Sequence, residues 1–412
     1  MADENNLTET VLGSFDIRAK DFLGMFGELC TTEDKYERMK SVEVGYEKKG
    51  DSLSIVFSDK NCKCVLKKAD LKGEDFSIST HGSCVIDCLL KAVSEDDMIT
   101  VKFTDYCTYF TTPCGIIEKT NFSPLKKESL PDFPELSDTE SGFKIGAKDL
   151  KEMINKTLFL KDLDSLIPFH PMLKGIFLEK EDENLKLVTT NGRKLAVACR
   201  KADFSGAEFS SVYIERPGLS VLAHSLHDED TVSVFVEGDY IFFKSEHFDL
   251  TDHLYQGTFP DYRRVIPQQQ SQKVVVQKEK LLSFVKLADI VLSQISDDDF
   301  ESHYDEKVDE YYDEFIPETA HRIYFTFSKN SLTLKIDKYV SAKMVIPCEY
   351  SGEDIEANFD YFCLKNIFKT FDSEHIVINF TSDQGAFIFQ NEGNEKDLQL
   401  ILPMKKQEKA SE

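Results

Sequence analysis

The sequence lacks several features that mark common classes of protein. It has no tryptophan, no run of 18 apolar residues, and no basic, apolar start of the kind that directs secretion. We therefore expect a cytoplasmic chain with no membrane-spanning helix. Its ten cysteines are too dilute over 412 residues for a disulfide scaffold. In a reducing compartment they are expected to behave as small buried apolar side chains.

Basic residues are outnumbered by acidic ones. Lys and Arg total 49 against 74 Asp and Glu, which gives a formal net charge of −25. This balance argues against a chain that coats DNA or an anionic membrane by bulk charge, although it leaves room for a local basic surface. Hydrophobic residues make up 41% of the chain. A wholly disordered chain is therefore excluded, and the length suggests two to four domains at about 100–200 residues each.

Catalytic motifs are missing as well. The sequence contains no GxxxxGK[ST] phosphate loop, no HExxH and no GxSxG. Cys62 and Cys64 lie in a strand-like run that would point both thiols to one face, and with Cys84 and Cys88 they lack the spacing of a zinc site. The run 297–299 of three aspartates has no phosphate-handling partner beside it. We therefore expect no catalytic residue, no metal and no cofactor.

A threefold repeat organises the chain. A short alternating strand followed by a helix start occurs at 15–22, 143–150 and 274–281, with spacings of 143 − 15 = 128 and 274 − 143 = 131 residues. After each start, apolar residues at helical spacing predict one buried face. These faces are formed by Phe22, Phe26 and Leu29, then Leu150, Met153, Ile154 and Leu158, then Leu281, Val285, Ala288 and Leu292.

A second signal recurs inside each repeat. An acidic turn leads into an alternating strand at 94–103, 227–236 and 372–381, and each follows another helical pattern. The predicted fold class is therefore α+β, with three similar domains of two helix-plus-antiparallel-strand units each. The predicted boundaries are an N-terminal tail 1–14, domains 15–138, 139–268 and 269–405, and a C-terminal tail 406–412.

One segment interrupts the third repeat. From Asp297 to Glu318 there are 11 acidic residues and one lysine. A block of like charge predicts a solvated insertion loop over 297–318. A metal site or a docking segment is the alternative. We expect a chain without residues 298–313 to fold and assemble normally.

Five segments resemble motifs of a known family. They are LPDFPELSD at 130–138, HPMLKG at 170–175, VTTNGRKLA at 188–196, FPDYRRVIP at 259–267 and LILPMK at 400–405. In this order they resemble the bacterial replicative sliding clamp, the β subunit of DNA polymerase III, over residues from about 15 to 405. The resemblance implies three similar domains per chain, with two chains closing head to tail into a ring.

The resemblance also implies a function. Helices would line the hole of this dimeric DNA clamp, which would encircle double-stranded DNA without regard to sequence. The clamp would act as a non-catalytic processivity factor that tethers the replicative DNA polymerase and clamp-loader subunits, with no membrane contact. An acidic chain suits this role because enclosure retains the DNA while weak phosphate contacts permit sliding. Two alternatives stay open: a docking ring for proteins alone, and a metal-dependent nuclease or phosphotransferase using the acidic loop.

Three sets of site residues follow from the resemblance. A pocket for a short apolar partner peptide would comprise Leu173, Thr190, Gly192, Arg193, Lys194, Leu195, Pro260, Arg264, Val265, Asn358, Tyr361, Leu400, Leu402, Pro403 and Met404. The DNA-facing residues would be Lys20, Lys91, Lys148, Lys151, Lys156, His170, Arg216, Lys280, Lys286, Lys365 and Lys369. The dimer interface would include Val291 and Leu292, as exposed branched residues at a helix end. Lys194 and His170 depart from the family, which commonly has Arg at both positions.

Overall fold

The computed structural model of this chain describes residues 10–26, 43–58, 62–68, 74–81, 93–94, 96–120, 133–137, 141–158, 175–205, 207–292, 321–337 and 341–404. Of the predicted features, Lys91, His170, Leu173, the Cys84 and Cys88 pair and the insertion 297–318 lie outside these residues. The structure describes the backbone of Arg216 but not its side chain.

The described residues form five α-helices and a short 3-10 helix at Tyr262–Val265. The helices are α1 (Ala19–Phe26), α2 (Ala147–Thr157), α3 (Arg216–Ser225), α4 (Lys278–Leu292) and α5 (Tyr361–Lys369). The first twelve strands are β1 (Val11–Arg18), β2 (Glu43–Lys49), β3 (Ser52–Ser58), β4 (Cys62–Lys68), β5 (Phe76–His81), β6 (Met98–Thr104), β7 (Cys107–Thr112), β8 (Gly115–Thr120), β9 (Phe143–Gly146), β10 (Gly175–Glu181), β11 (Asn184–Thr190) and β12 (Lys194–Lys201). The others are β13 (Ser211–Glu215), β14 (Thr231–Glu237), β15 (Tyr240–Lys244), β16 (Phe248–His253), β17 (Gln272–Gln277), β18 (Arg322–Ser328), β19 (Ser331–Asp337), β20 (Ser341–Glu349), β21 (Ile355–Asp360), β22 (His375–Phe380), β23 (Phe387–Asn391) and β24 (Asn394–Ile401).

The chain divides into two compact units. Unit 1 comprises Met1–Leu158, Lys174–Leu187 and Arg200–Thr258, and unit 2 comprises Phe159–Leu173, Val188–Cys199 and Phe259–Glu412. In unit 1 the strand orders are β1-β6-β7-β8, β5-β2-β3-β4-β16-β15-β14-β9 and β13-β10. In unit 2 the order is β12-β24-β23-β22-β17-β20-β19-β18-β21. The predicted α+β class is confirmed, and the three-domain boundaries stay a prediction.

The repeated strand-to-helix junction is a structural feature of the chain. Strands β1, β9 and β17 run without a break into α1, α2 and α4. Along β9 the residues are alternately buried and exposed, as one covered sheet face requires. In α2 the residues Leu150, Met153 and Ile154 are buried, as their helical spacing predicts. Asp149 in its first turn and Lys156 in its last turn suit the helix dipole.

Phenylalanine supplies much of both cores. In unit 1, α3 packs against α1 and α2, and Phe103 lies 4.8 Å from Tyr46 and 6.2 Å from Phe15 between ring centroids. In unit 2, α4 packs against α5. The core there includes Phe327 and Phe380, whose ring centroids are 4.8 Å apart. Large aromatic side chains bury much apolar area each, which explains how a chain without tryptophan fills several cores.

The cysteines of β4 are structural. Cys62 and Cys64 are both buried while Lys63 between them is partly exposed, so the two thiols share one face as predicted. Burial raises the pKa of the Cys64 thiol to about 12, which keeps it protonated and unreactive at neutral pH. Among the described residues, no group of three or more His, Cys, Asp or Glu side chains could hold a metal ion.

None of the described helices is both long enough and apolar enough to cross a membrane.

Gly175 is required by a close approach between β10 and β13. A Cβ at this position would lie 2.2 Å from the carbonyl oxygen of Ile214 and 2.5 Å from the ring of Tyr213. Because backbone atoms cannot move aside cheaply, we expect Gly175→Ala to lower the free energy of unfolding by about 3 kcal/mol. Urea denaturation would measure the change.

Gly146→Ala is the matched control. The nearest atom to a Cβ there is an Asp149 carboxylate oxygen at 3.7 Å, an ordinary contact. This variant should unfold at the wild-type urea midpoint. Equal midpoints for the two variants would contradict the proposed clash at Gly175.

Candidate partner-peptide and DNA interfaces

The end of the described chain is fixed beside two strands. In the β12–β24 ladder, Leu195 lies opposite Leu400. The next residues leave the ladder but stay bonded: Leu402 N donates to the Arg193 carbonyl at 3.0 Å, and Met404 N donates to the Asn358 carbonyl at 2.8 Å. The structure therefore brings together seven of the predicted pocket residues: Arg193, Lys194, Leu195, Asn358, Leu400, Leu402 and Met404.

The turn before β12 is rigidly built. Thr190 Oγ1 donates to the Lys194 carbonyl at 2.7 Å. The Asn191 side chain accepts from the backbone N–H groups of Arg193 at 2.9 Å and Lys194 at 2.7 Å. Gly192 has φ of 82°, a left-handed conformation that glycine adopts without strain. The resemblance predicted Thr190, Gly192, Arg193 and Lys194 as pocket lining, and the structure places them in one tight turn.

Apolar residues around this turn are unequally exposed. Leu195 and Leu400 are buried, Pro403 and Met404 are partly exposed, and Leu402 is exposed. Buried leucines beneath an exposed apolar segment form a surface suited to a short apolar peptide. Three further predicted residues, Pro260, Arg264 and Val265, lie on the segment 259–265. Buried Phe259 and Tyr262 anchor that segment, and Arg264 and Val265 are exposed.

Lys194 is buried beside groups that sequence reasoning missed. Burial raises the pKa of the Cys363 thiol to about 12, and the nearby Lys194 ammonium opposes the rise. Asp360 also faces this thiol, and its carboxylate caps α5 by accepting from Cys363 N at 2.9 Å. An Asp directly before an apolar helix is a capping signal in the sequence. The approach of Lys194 to the Cys363 thiol is a tertiary feature.

Tyr361 lies in the contact between two helices. Its hydroxyl donates to the Asp289 carboxylate and to the Val285 carbonyl at 3.3 Å, both on α4. Tyr361 is buried together with Leu364 on the apolar face of α5. The structure thus directs this side chain toward α4, because the apolar period of α5 begins at its first residue. Its assignment to the pocket stays a prediction.

The predicted DNA-facing cations differ in their surroundings. Five are exposed at the helices: Lys20, Lys148, Lys280, Lys286 and Lys369. Two are partly buried and bound to carboxylates, with Lys151 Nζ 3.3 Å from Asp228 and Lys365 Nζ 2.6 Å from Asp289.

Lys156 does not present its side chain to solvent. It is only 6% exposed, so the expectation of an exposed cation there is wrong. The residue falls in the last turn of α2 between buried Met153 and Thr157. At that position the helical period turns it toward the buried side rather than toward solvent.

The end of α4 also differs from expectation. Val291 is 6% exposed and belongs to the core of unit 2, and Leu292 packs partly against the same core. The expectation that Val291 is an exposed branched residue is therefore wrong. The exposed branched residue here is Ile290. Val291 lies on the same buried face of α4 as Leu281 and Ala288, which explains why it is buried rather than exposed.

Comparison of the sequence with known proteins finds the same family that the five sequence motifs resemble. The family model described as "DNA polymerase III beta subunit, central domain" matches residues 144–261. The beta sliding clamp of Treponema pallidum is 26% identical over 288 residues, which cover 68% of this chain and 70% of that protein. The chain is thus similar to bacterial β sliding clamps. The beta sliding clamp of Bacillus subtilis is 21% identical over 359 residues, covering 86% of this chain and 89% of that protein.

Solved sliding clamps share the fold. The DNA polymerase III beta subunit of Thermotoga maritima superposes with a TM-score of 0.69 at 17% identity, covering 96% of this chain and 100% of that chain. A sliding clamp of Pseudomonas aeruginosa bound to griselimycin gives a TM-score of 0.68 at 18% identity, with the same coverage. The chain therefore has the fold of these sliding clamps.

Proposed function

We propose that this chain is a sliding clamp that acts as a DNA polymerase processivity factor. Two copies close into a ring that encloses duplex DNA, slides on it and tethers the replicative polymerase and other replication or repair proteins. The ring itself is non-catalytic. The observation that carries the proposal is a pair of strand edges that have no partner among the described residues, where equivalent edges elsewhere in the chain are paired.

Equivalent strands pair twice within the chain. β4 is the last of the three consecutive strands β2, β3 and β4, and it pairs antiparallel with β16. In the same way β12 is the last of β10, β11 and β12, and it pairs antiparallel with β24. The third such set would be β20 with β8. Among the described residues, β8 pairs only with β7, and β20 pairs with β19 and, at its last two residues, with β17. Each strand therefore keeps a free edge, and unpaired edges favour strand addition. Pairing β8 of each copy with β20 of the other closes a dimer.

The register of this seam follows from the ladders. Phe15 and Phe143 each lie four residues before a helix. Successive strand pairs lead from Phe15 across β6 and β7 to Ile117 in β8. Equivalent pairs lead from Phe143 across β14 and β15 to Leu250 in β16. Ile117 and Leu250 are therefore equivalent positions.

The residue of β20 that is equivalent to a residue of β4 is found in the same way. Tyr46 and Phe325 each pair with the residue three positions before the end of the next strand, β5 or β21. Strand pairs lead from Tyr46 across β3 to Leu66 in β4, and from Phe325 across β19 to Met344 in β20. Leu66 and Met344 are therefore equivalent.

Applying the register of the β4–β16 pair to β20 and β8 gives the residue pairs of the proposed dimer seam. Leu66 lies opposite Phe248, two residues before Leu250. By equivalence, Met344 of one copy lies opposite Gly115 of the other, two residues before Ile117.

The register explains two exposed apolar residues. It sets Val345 opposite Cys114 and Lys343 opposite Ile116. Ile116 is 67% exposed and Val345 is 58% exposed in the single chain. Across the seam they become diagonal neighbours on one face, within reach of each other. Pairing would therefore cover apolar surface that the single chain leaves in water.

Enclosure suits the charge of the chain. Exposed lysines on helices α1, α2, α4 and α5 supply phosphate contacts, while the net charge of −25 opposes tight binding. Binding that rests on a few phosphate contacts is sequence-independent and weakens as salt rises. The partner pocket around Leu402 and Met404 would hold the polymerase by a short apolar peptide.

Topological retention is the test of this function. We expect the protein, once loaded on nicked circular DNA, to stay bound through gel filtration at high salt, because a closed ring is held by linkage rather than affinity. Cutting the circle should release it. Loss from circular and linear DNA at the same rate would contradict enclosure, and cleavage of the DNA by the protein alone would favour the nuclease alternative.

A further inference from the structure

Lys365 on α5 is held by a carboxylate from the neighbouring helix. Its Nζ lies 2.6 Å from Asp289 Oδ1 on α4, and the Tyr361 hydroxyl donates to the same oxygen. Burial works to raise the pKa of Asp289, but the bonds from Lys365 and Tyr361 and the charge of Lys369 lower it below its ordinary value. Asp289 is therefore a carboxylate anion at neutral pH, and its bond to Lys365 is of the strong, charge-assisted kind.

The pair is accessible from outside. The Lys365 side chain is 26% exposed and that of Asp289 is 43% exposed. Lys369, one turn further along α5, is exposed. An ion pair at a solvent-facing helix contact is therefore within reach of a polyanion that approaches these helices.

A second helix pair repeats the pattern. Lys151 on α2 lies 3.3 Å from Asp228, just beyond the end of α3. In two of the helix contacts of the described structure, α2 with the end of α3 and α4 with α5, a lysine on one element is thus bound to a carboxylate of the other. These two contacts reduce the positive charge that the helices offer to DNA.

We propose that Asp289 is a counter-charge that keeps Lys365 from binding DNA phosphate and so keeps the grip of the ring weak. This inference rests on the proposed function, since it concerns how the lining helices meet the duplex. Each additional phosphate contact steepens the fall of log K with log salt by about 0.9, so one released lysine per chain would tighten DNA binding and make it more sensitive to salt.

A double-mutant cycle tests the proposal. Purified wild-type dimer, Asp289→Asn, Lys365→Met and the double variant are titrated with a short fluorescent DNA duplex at a series of salt concentrations. Asp289→Asn should bind more tightly, with a salt slope steeper by about 0.9 per chain. Lys365→Met should bind more weakly, because it leaves Asp289 uncompensated.

The double variant decides the outcome. It removes a neutral pair, so it should bind like the wild type. If it binds as weakly as Lys365→Met, then Lys365 contacts DNA in the wild type and the counter-charge proposal fails. Glu279→Gln, the same charge change at an exposed position of α4, is the matched control and should give a smaller gain. An equal gain would show a general charge effect and overturn the proposal.

A second measurement needs no change to the ion pair. In the wild-type dimer with isotope-labelled, methylated lysines, adding the duplex should shift the NMR signal of Lys369 and leave that of Lys365 in place. An equal shift at both lysines would overturn the proposal even if Asp289→Asn failed to fold. Failure of the wild type to bind the duplex at any salt would instead contradict the proposed DNA contact itself.

Discussion

Val345→Cys should convert the protein into a covalent dimer under mild oxidation with diamide. The proposed seam sets Val345 of one copy opposite Cys114 of the other, and Cys114 is an exposed free thiol at the β7–β8 turn. Directly opposed residues of antiparallel strands have Cα atoms about 4.5–5.5 Å apart, which suits a disulfide. Non-reducing electrophoresis should show a band at twice the chain mass that disappears on reduction.

Two controls isolate the seam. Thr333→Cys places the thiol on β19 directly beside Val345, one strand farther from the edge. The added spacing of about 4.8 Å takes it beyond disulfide reach, so this variant should stay uncross-linked. Adding Cys114→Ser to Val345→Cys should abolish the cross-link. If light scattering showed the wild-type protein to be a monomer at micromolar concentration, the proposed dimeric ring would be contradicted.

Removing residues 403–412 should abolish binding of a clamp-binding peptide from the polymerase. The deletion eliminates Pro403 and Met404 and breaks the bond from Met404 N to the Asn358 carbonyl, so the exposed apolar edge beside Leu402 is lost. A central contact of this kind costs about 2 kcal/mol or more on truncation, roughly thirtyfold in affinity. Fluorescence anisotropy with a labelled peptide would measure the loss.

A shorter deletion is the matched control. Removing only residues 406–412 should leave the peptide affinity unchanged, since the bonded segment Leu402–Met404 remains. Both deletions should keep the dimer mass, because the proposed seam involves β8 and β20. Unchanged affinity after removal of 403–412 would mean that the pocket lies elsewhere.

Local pattern was enough for much of the fold. The strand-to-helix starts at 15–22, 143–150 and 274–281 depend on neighbouring residues, and β1, β9 and β17 lead into helices as predicted. The helix faces through Leu150 and Leu364 were predictable because burial of one face imposes a period of 3.6 residues. The shared face of Cys62 and Cys64 followed from the strand period of two in the same way.

Side-chain environment was less predictable at single positions. Lys156 and Val291 were expected to be exposed, and both are buried. Each lies near a helix end, where residue type suggests one exposure and the neighbouring elements impose another. The bonds of Lys365 to Asp289 and of Lys151 to Asp228 join residues 76 and 77 positions apart, a separation at which sequence spacing carries no information on contact.

The sequence by itself determined the α+β class, the threefold strand-to-helix repeat and the family resemblance, because periodicity and motifs are local properties of the chain. Only the tertiary structure decided which strand edges are paired and which have no partner in the described part of the chain. It also decided which lysines are neutralised and which residues Leu402 and Met404 meet. These features depend on hydrogen bonds and ion pairs between segments that are far apart in sequence. Such segments meet only when the chain folds, so local sequence patterns carry no information about them.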